Sequence, residues 1–559
     1  MYKRLMLSLA MLAIGAAMLA TASVASPGSA HKPSGSQARK GGIFKATLFA
    51  GIENIDPQRS YYVPEWQYEW LTGRMLLNYR HATGGRGYQL VNDAAKSYTV
   101  SRNGRVYTFH LRHGMRLSNG KPITAANFKH TLLRVLNPDV GSPLASFLTD
   151  PVSVNIVGAL NYNTTGKGAV AGIKTKGPYT LIITLVKANA LLPTLLALPP
   201  TQAEPTNLPM SKITSVPCCG YNQLPSGGRY YVKSYVPDRS IKIRKNPFYK
   251  PLGAPATPGV VDGFDYEIGT QQDQALLLTK SGAIDWAADG LPSTAWGQLF
   301  QQYGTKGRVR IFQTSVSDYV TMNNAKGTFT NTNARKAVSY GINRKALVNI
   351  RGPRAGYAQC SLLTPAIPGY KKCTAYPLTS NVSKARSLAS GHTGGKINFW
   401  YTATTTGALI HQLAKAELNA IGFNNIDDTP FQSGLFTALG KKGNAYDFAI
   451  VGWQADFPDA YDYVNKLLSG QTIQDVQNNN TAYFNNATAN KLMNKAASLK
   501  GAARIKAYGA LDNQIMKTWA PIAGIDNRND REFFSARVAT KSVVASPIYE
   551  LDLGKIALK

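Results

Sequence analysis

The sequence predicts a mixed α/β protein built from more than one domain. Its 559 residues exceed the roughly 250–300 residues that a single hydrophobic core supports. Strand-like segments of period two alternate with helix-like segments along the whole chain, and no segment repeats. A composition of 44% hydrophobic and 10% aromatic residues is typical of a folded globular protein.

The N-terminus is predicted to be an export signal at residues 1–25. A positively charged start is followed by an apolar core from Leu5 to Leu19 and by small residues at Ser23-Val24-Ala25, with Ala20-Thr21-Ala22 as an alternative cleavage site. Ser, Gly and Pro are frequent at residues 26–40, which predicts a flexible linker. We therefore expect an exported protein that acts outside the cytoplasm.

Whether this signal is cleaved is left open by the sequence. Leu5 to Ala25 nearly reaches the roughly 20 apolar residues that span a bilayer, so an uncleaved anchor is the alternative. The first cysteine is Cys218, so we expect no lipid-modified cysteine at the N-terminus.

The formal net charge of +32, from 62 Lys and Arg against 30 Asp and Glu, is compatible with binding to nucleic acid or to a membrane. However, the basic residues are scattered. The densest group, Lys242-Ile243-Arg244-Lys245, alternates as the solvent face of a strand would. We interpret the charge as a soluble surface poor in acids and expect no nucleic-acid partner. A basic adhesin is the alternative, and its binding would collapse with salt.

Four cysteines suit an oxidising compartment, and three pairings are possible. We expect a disulfide between Cys360 and Cys373, which lie close in sequence and flank a proline-rich loop. Cys218 and Cys219 are neighbours, and a bond between neighbours is strained. The sequence leaves open whether these two pair elsewhere or remain thiols.

Period-two and helical patterns locate the first elements. Val106–Leu111 alternates after a turn at Asn103-Gly104 and predicts a strand. Thr124 predicts a helix N-cap, because apolar residues follow on one helical face. Tyr179–Leu185 predicts another strand.

The second half of the chain continues this alternation. Its predicted elements are a hairpin of Tyr230–Val232 with Ser240–Arg244, a strand at Lys396–Tyr401, a helix at Ala408–Ile421, a buried strand at Tyr446–Val451, and two helices within Thr488–Trp519 that break near Gly501.

Searches for catalytic and metal-binding motifs are negative. The sequence has no G-x-x-x-x-G-K-[ST], no G-x-S-x-G and no H-E-x-x-H. His110 and His113 would face opposite sides of a strand, whereas zinc ligands must converge. We therefore predict no enzyme, no cofactor and no metal site. An exported hydrolase is the competing class.

Several segments follow one another in an order that is specific as a set. They are Gly41-Gly42-Ile43-Phe44-Lys45 with Ile55-Asp56-Pro57, Asn92-Asp93-Ala94-Ala95 through Gly104–Arg112, Leu117–Thr124, Gly227–Tyr231 with Arg244–Tyr249, Ser281–Asp285, Tyr319–Asn323 with Ala334–Arg344, and Gly452–Asp459. Over nearly all of residues 41–559 the chain resembles the family 5 extracellular solute-binding proteins, the oligopeptide-, dipeptide- and nickel-binding subunits of ABC importers.

This resemblance implies an α/β, two-lobed periplasmic-binding-protein-like fold of class II with an extra domain and a ligand cleft between the lobes. Crossings between the lobes are expected near Gln313–Ser317 and Pro521–Asp526. The implied divisions are domain I at 41–75, 205–312 and 523–559, domain II at 76–204, and domain III at 313–522.

The resemblance also implies a function. The protein would capture oligo- or dipeptides and deliver them to ABC transporter permease subunits, acting as a monomer in the periplasm or outside the cell, near the cytoplasmic membrane. A sugar, a metal chelate or another small solute is the alternative ligand.

Candidate ligand-binding residues follow from the same resemblance. Asp456 matches the cleft carboxylate that pairs with a peptide α-ammonium, and Trp453 and Gln454 would flank it. Further candidates, placed by neighbourhood alone, are Tyr62, Val63, Asp289 and Tyr319. Each has an ordinary alternative, because an Asp before Pro458 also suits a turn or a cap, and aromatic residues also form cores.

Overall fold

Three larger β-sheets organise the part of the chain that the computed structural model describes, which is residues 38–49, 51–252, 259–432 and 434–559. The predicted signal peptide and most of the predicted linker lie outside the described residues. Within the described ranges, no helix has the length and apolar character needed to cross a membrane.

The strands and helices are numbered in chain order. The strands are β1 Ile43–Leu48, β2 Leu77–Tyr79, β3 Leu90–Asn92, β4 Ala95–Val100, β5 Val106–Leu111, β6 Ile173–Thr175, β7 Thr180–Thr184, β8 Tyr230–Val236, β9 Ser240–Lys245, β10 Gly263–Ile268, β11 Trp286–Ala287, β12 Val309–Met322, β13 Gly356–Ala358, β14 Ile397–Thr402, β15 Ile426–Phe431, β16 Phe448–Trp453, β17 Ile522–Phe533, β18 Ala545–Ser546 and β19 Glu550–Leu551. The helices are α1 Val63–Thr72, α2 Ala125–Leu136, α3 Ala145–Leu148, α4 Ala159–Thr165, α5 Leu192–Leu195, α6 Gln272–Ser281, α7 Trp296–Tyr303, α8 Thr332–Gly341, α9 Arg344–Ile350, α10 Val382–Ala389, α11 Thr405–Ala420, α12 Leu435–Leu439, α13 Tyr461–Leu468, α14 Ala487–Ser498 and α15 Gly501–Trp519.

The first sheet has five strands in the order β11-β1-β10-β9-β8. β1 runs parallel to β10 and β11, whereas β10, β9 and β8 are antiparallel. Alternate residues of β1, Phe44 and Ala46, are buried in a core with Phe264 and Trp286. The predicted hairpin of β8 and β9 is confirmed.

The second sheet has four antiparallel strands in the order β4-β5-β7-β6 and packs against α2. β5 has the predicted bounds, and β7 lies within the predicted strand. α2 begins directly after Thr124, as predicted, and the Thr124 backbone N–H donates to Asn127 Oδ1 at 2.8 Å. This bond satisfies one of the donors that a helix start leaves free.

The third sheet has six strands in the order β13-β17-β12-β16-β14-β15. The predicted helix after β14 is confirmed, but it begins three residues earlier, because the Thr404 hydroxyl accepts a hydrogen bond from Gly407 N at 3.1 Å. β16 extends two residues beyond its predicted end. Gly452 and Trp453 therefore belong to the strand, paired with Asp318 and Ser317 of β12.

β12 and β17 link the third sheet to the first. Their far ends pair at Val309 and Phe533, and Phe534 bridges to Trp286 of β11. Their register shifts between Gln313 and Ser317, where three residues of β12 lie opposite one residue of β17. Such a bulge bends a strand locally, and it lies at one of the crossings that the resemblance implies.

The cysteines fall into one bonded and one unbonded pair. Cys360 and Cys373 form a disulfide with their Cα atoms 5.5 Å apart. Cys218 and Cys219 are free thiols on the connection that leads from the second sheet back to the first.

Candidate functional site

A cavity of about 480 Å³ lies where distant parts of the chain meet. Its walls come from the start of α1, the end of β16, the loop at Gln477–Asn479 and the C-terminal segment at Ile548–Tyr549. Tyr61 and Trp66 on the α1 side face Trp453 on the β16 side, with the Tyr61 and Trp453 ring centroids 6.3 Å apart. Residues of the third sheet and of segments next to the first sheet thus line the same cavity.

Asp456 lies on the wall of this cavity, three residues beyond the end of β16. Its side chain is mostly buried, and Oδ2 accepts a hydrogen bond from the Tyr61 hydroxyl at 2.5 Å. Its backbone N–H donates to Asp462 Oδ2 at 2.9 Å, which fixes the turn that follows the strand.

The Asp456 carboxylate has no cationic partner at ion-pair distance in the part of the chain that the structure describes. Burial raises the pKa of Asp456 to about 7, although the Tyr61 hydrogen bond and the charge of Lys466 both act to lower it. A buried carboxylate is stable as an anion when a partner neutralises it. The cavity therefore holds a group that a ligand cation would stabilise.

Trp453 and Gln454 also line this cavity. Trp453 Nε1 donates to Asp462 Oδ2 at 3.1 Å, and its ring lies 5.8 Å from that of Phe436. Gln454 Nε2 donates to the Ile548 carbonyl oxygen at 2.8 Å. Both side chains are thus held by the protein itself, which gives the wall a defined shape.

A second cavity of about 700 Å³ adjoins the first. Tyr62, Val63 and Gln454 line both cavities, so the two form one continuous cleft. Asp289 lines the second cavity, where it accepts hydrogen bonds from the Tyr62 hydroxyl at 3.2 Å and from Phe49 N at 2.5 Å.

Tyr319 is not brought to the cleft with the other candidates. It is 1% exposed within β12, between Val451 and Gly524 of the neighbouring strands, and lines neither cavity. Its strand is central in the sheet and its residues there are buried, so ligand contact by Tyr319 stays a prediction that these two cavities do not support.

Three further residues that act on Asp456 were not predicted as site residues. Tyr61 directly precedes the candidate Tyr62, and its hydroxyl donates a hydrogen bond to Asp456. Asp462 and Lys466 lie four residues apart on α13, so both fall on one helix face toward Asp456. Burial lowers the pKa of Lys466 to about 8. The i, i+4 spacing directly after the Asp456 motif was the signal that could have identified them.

An ion-pair network borders the second cavity. Arg528 holds both oxygens of Asp318, at 2.6 Å each, and Arg351 adds a contact of 2.8 Å. Gly452, opposite Asp318 in the sheet, makes room for the network, since a Cβ there would lie 2.5 Å from Asp318 Oδ1. Among the described residues no three His, Cys, Asp or Glu side chains converge as metal ligands would.

These features define a class of protein. The first and third sheets are joined by the long strands β12 and β17, and a cleft with the buried carboxylate of Asp456 lies between the segments that they carry. This is the architecture of a two-lobed solute-binding protein. The chain belongs to the bacterial extracellular solute-binding proteins, family 5, whose "family 5 Middle" model matches residues 89–475.

Comparisons with individual proteins agree with this membership. The chain is 23% identical over 505 residues to the periplasmic oligopeptide-binding protein OppA of Haemophilus influenzae, covering 86% of this chain and 87% of that protein. It is 25% identical over 422 residues to the glutathione-binding protein GsiB of Salmonella typhimurium, covering 73% and 74%.

Solved structures share the fold. Clavulanic acid biosynthesis oligopeptide binding protein 2 superposes with a TM-score of 0.79 at 23% identity, covering 93% of this chain and 96% of that chain. Haemophilus influenzae OppA in complex with RPPGFSPFR gives a TM-score of 0.76 at 20% identity, covering 93% and 100%. The two-lobed fold expected from the sequence is thus confirmed.

Proposed function

We propose that this protein is the extracytoplasmic binding subunit of an ABC importer, and that it captures peptides in the cleft and delivers them to the membrane permease. The observation that carries the proposal is Asp456, a buried carboxylate in the first cavity without a cationic partner within the described ranges. Relatives named for oligopeptide binding, and one solved in complex with RPPGFSPFR, support it.

A peptide α-ammonium matches this carboxylate in charge and in hydrogen bonding. It carries three donors, and a desolvated charge needs a partner. Inside a closed cleft the pairing is stronger than in water, because the local dielectric constant is lower. The remaining peptide backbone can be held by main-chain hydrogen bonds and bridging waters, which tolerate varied side chains.

A sugar is the weaker candidate. Aromatic rings such as Tyr61 and Trp453 could stack on a sugar, but a neutral ligand would leave the buried charge of Asp456 without compensation. The carboxylate therefore favours an amine-bearing solute.

Closure would proceed about β12 and β17, which carry the bulge at Gln313–Ser317. In the arrangement described, α13 also contacts the extra lobe: the Lys466 ammonium donates to the Ser146 hydroxyl and lies 4.0 Å from the Phe147 ring centroid. These contacts would hold the lobes together over a bound peptide. We infer that the binding unit works as a monomer outside the cytoplasm, near the membrane but without a lipid-modified cysteine.

Calorimetry with trialanine and with N-acetyl-trialanine tests the ligand class. The free peptide should bind and the acetylated one should bind at least about tenfold more weakly, since acetylation removes the charge. Mass spectrometry of the recovered peptide should find it uncut. Equal binding of the two peptides, or cleavage, would overturn the proposal.

Small-angle scattering tests closure. A peptide shown to bind should reduce the radius of gyration and raise the melting temperature, because ligand binding stabilises the native state by RT ln(1 + [L]/Kd). An unchanged scattering curve at saturation would exclude a hinge motion.

A further inference from the structure

The charge of the cleft is opposite to that of the whole chain. The protein carries 62 Lys and Arg against 30 Asp and Glu, yet the second cavity is lined by five carboxylates and three arginines, and the first by two carboxylates and one arginine. Among the residues that the structure describes, no lysine lines either cavity. Acids are thus concentrated where the ligand would lie.

The arginines of the second cavity already have partners. Arg528 and Arg351 are both bound to Asp318. Arg531 Nη1 donates to the Pro353 carbonyl oxygen at 3.1 Å, and its guanidinium lies 4.8 Å from the Trp296 ring centroid. All three guanidinium groups are thus held by the protein, and Arg528 and Arg351 neutralise Asp318.

Two glutamates on the same wall have no such cation. Glu532 is 7% exposed and accepts a hydrogen bond from Trp286 Nε1 at 2.5 Å. Glu550 accepts one from Gln67 Nε2 at 3.0 Å. Neither has a Lys, Arg or His nitrogen at ion-pair distance in the described ranges. Each therefore has a single neutral donor for two oxygens in a cavity large enough to admit a side chain.

Glu532 is buried and Glu550 and Asp530 are half-buried, so the ionised form of these acids costs free energy until a cation arrives. Burial raises the pKa of Glu532 and of Glu550 well above the usual value, and it raises that of Asp530, beside them, to about 6. An ammonium or guanidinium group in the cavity would stabilise the carboxylates, and the carboxylates would replace part of its lost hydration.

We propose that the second cavity receives a basic side chain of the ligand, and that this protein selects peptides that contain lysine or arginine. The inference rests on the proposed function, in which Asp456 anchors the α-ammonium. Tyr62, Val63 and Gln454 form walls of both cavities, so a peptide anchored at Asp456 has a continuous path into the cavity that Glu532 and Glu550 line.

Matched peptides test the inference on the wild-type protein. Trialanine is made with arginine at position one, two or three, and each peptide has a twin with citrulline, which keeps the shape of arginine but is neutral. Calorimetry should give at least about tenfold tighter binding of the arginine peptide for one position, because a charge-assisted bond is lost in the twin. Equal affinity at all three positions would overturn this inference and leave the proposed function standing. If no peptide binds, the proposed function fails, and this inference fails with it.

Variants then assign the effect to the cavity. Glu532→Gln and Glu550→Gln should each reduce the ratio of arginine to citrulline affinity, measured within each variant, several-fold. Asp475→Asn is the matched control, since this residue is 81% exposed and paired with Lys442 and its loss changes net charge equally. An unaltered ratio in the Glu532→Gln/Glu550→Gln double variant, or an equal drop in Asp475→Asn, would overturn the assignment. Because the wild-type comparison needs no variant, poor folding of a variant does not remove the test.

Discussion

Asp318 and Asp456 are both buried carboxylates beside the cleft, yet their surroundings differ. Asp318 pairs with Gly452 across the sheet, and Asp456 lies four residues after Gly452 in the sequence. Burial alone would raise the pKa of Asp318, but Arg351 and Arg528 hold it well below the usual value. Burial raises the pKa of Asp456 to about 7, with no cation at ion-pair distance within the described residues. One carboxylate is neutralised by the protein, and the other is left for a ligand.

The presence or absence of a neutralising cation distinguishes the structural role of Asp318 from the binding role of Asp456. A buried ion pair is costly to break, because the remaining partner stays charged and desolvated. A buried carboxylate without a cationic partner adds no such stability, and a carboxylate of shifted pKa that lies in a cleft is a candidate functional group. The two residues should therefore respond to mutation in opposite ways.

The largest effect is expected for the folding stability of Asp318→Ala. Two guanidinium groups would lose their carboxylate, and because Arg351 is largely buried whereas Arg528 is 43% exposed, the loss should lie near the lower end of the about 3–5 kcal/mol that removing one member of a buried pair costs. Urea denaturation followed by circular dichroism should show this decrease in the free energy of unfolding. Asp427→Ala is the control, since its pair with Lys396 is 57% exposed on the Asp side and should contribute less than about 1 kcal/mol. Similar losses in both variants would contradict the structural role of Asp318.

Asp456→Ala should instead impair binding and leave stability nearly unchanged. Trialanine affinity should fall by roughly 30-fold or more, because truncating one member of a buried charged pair costs about 2–5 kcal/mol. N-acetylation should weaken wild-type binding by a similar factor and add little in the variant. Additive losses in this two-by-two cycle would show that Asp456 does not bind the amine.

Elements with a local pattern could be predicted from the sequence, whereas those that depend on distant partners could not. β5 shows its alternation in its own residues, and its predicted bounds are correct. The extension of β16 through Trp453 depends on β12, more than a hundred residues away.

The same distinction applies within the site. Asp456 was identified by resemblance, but the pairing of Asp318 with Arg351 and Arg528 joins three separate segments and has no spacing signal. Tyr61 and Tyr62 are neighbours in a run of aromatic residues, and their hydroxyls bind different carboxylates. Which ring faces which cavity is decided by the turn before α1, and side-chain chemistry carries no information about it.

The pH dependence of peptide affinity should also distinguish Asp456 from Asp318. The complex requires ionised Asp456, so the bound ammonium lowers its pKa and binding releases a proton. Affinity should be highest near pH 7.5, between the pKa of Asp456 and that of the peptide α-ammonium, which is about 7.7–8.0, and it should fall about five- to tenfold between pH 7.5 and 6, as the free carboxylate becomes protonated. Asp318 stays ionised throughout and contributes nothing in this range. Calorimetry of trialanine at several pH values checks this expectation, and a flat profile would show that Asp456 is already ionised in the empty cleft.

The smallest effect is expected for Tyr61→Phe. The Tyr61 hydroxyl donates to Asp456 at 2.5 Å and thereby favours the ionised carboxylate. Its loss should move the midpoint of the pH dependence upward and weaken trialanine binding roughly two- to fivefold at pH 7. This is less than the roughly tenfold or more that a hydrogen bond to a charged group contributes, because the ammonium compensates part of the loss. Near pH 8 the affinities of variant and wild type should converge.

Tyr357→Phe provides the matched control for this experiment, since it removes the hydroxyl of a tyrosine that is 64% exposed on β13. Its pH profile should coincide with that of the wild type. If Tyr61→Phe lowers affinity equally at every pH, the hydroxyl contacts the peptide or supports the wall of the cavity and does not set the ionisation of Asp456. A shifted midpoint with converging affinities would show that the protein holds Asp456 partly ionised in the empty cleft, ready for the ligand cation that Asp318 does not need.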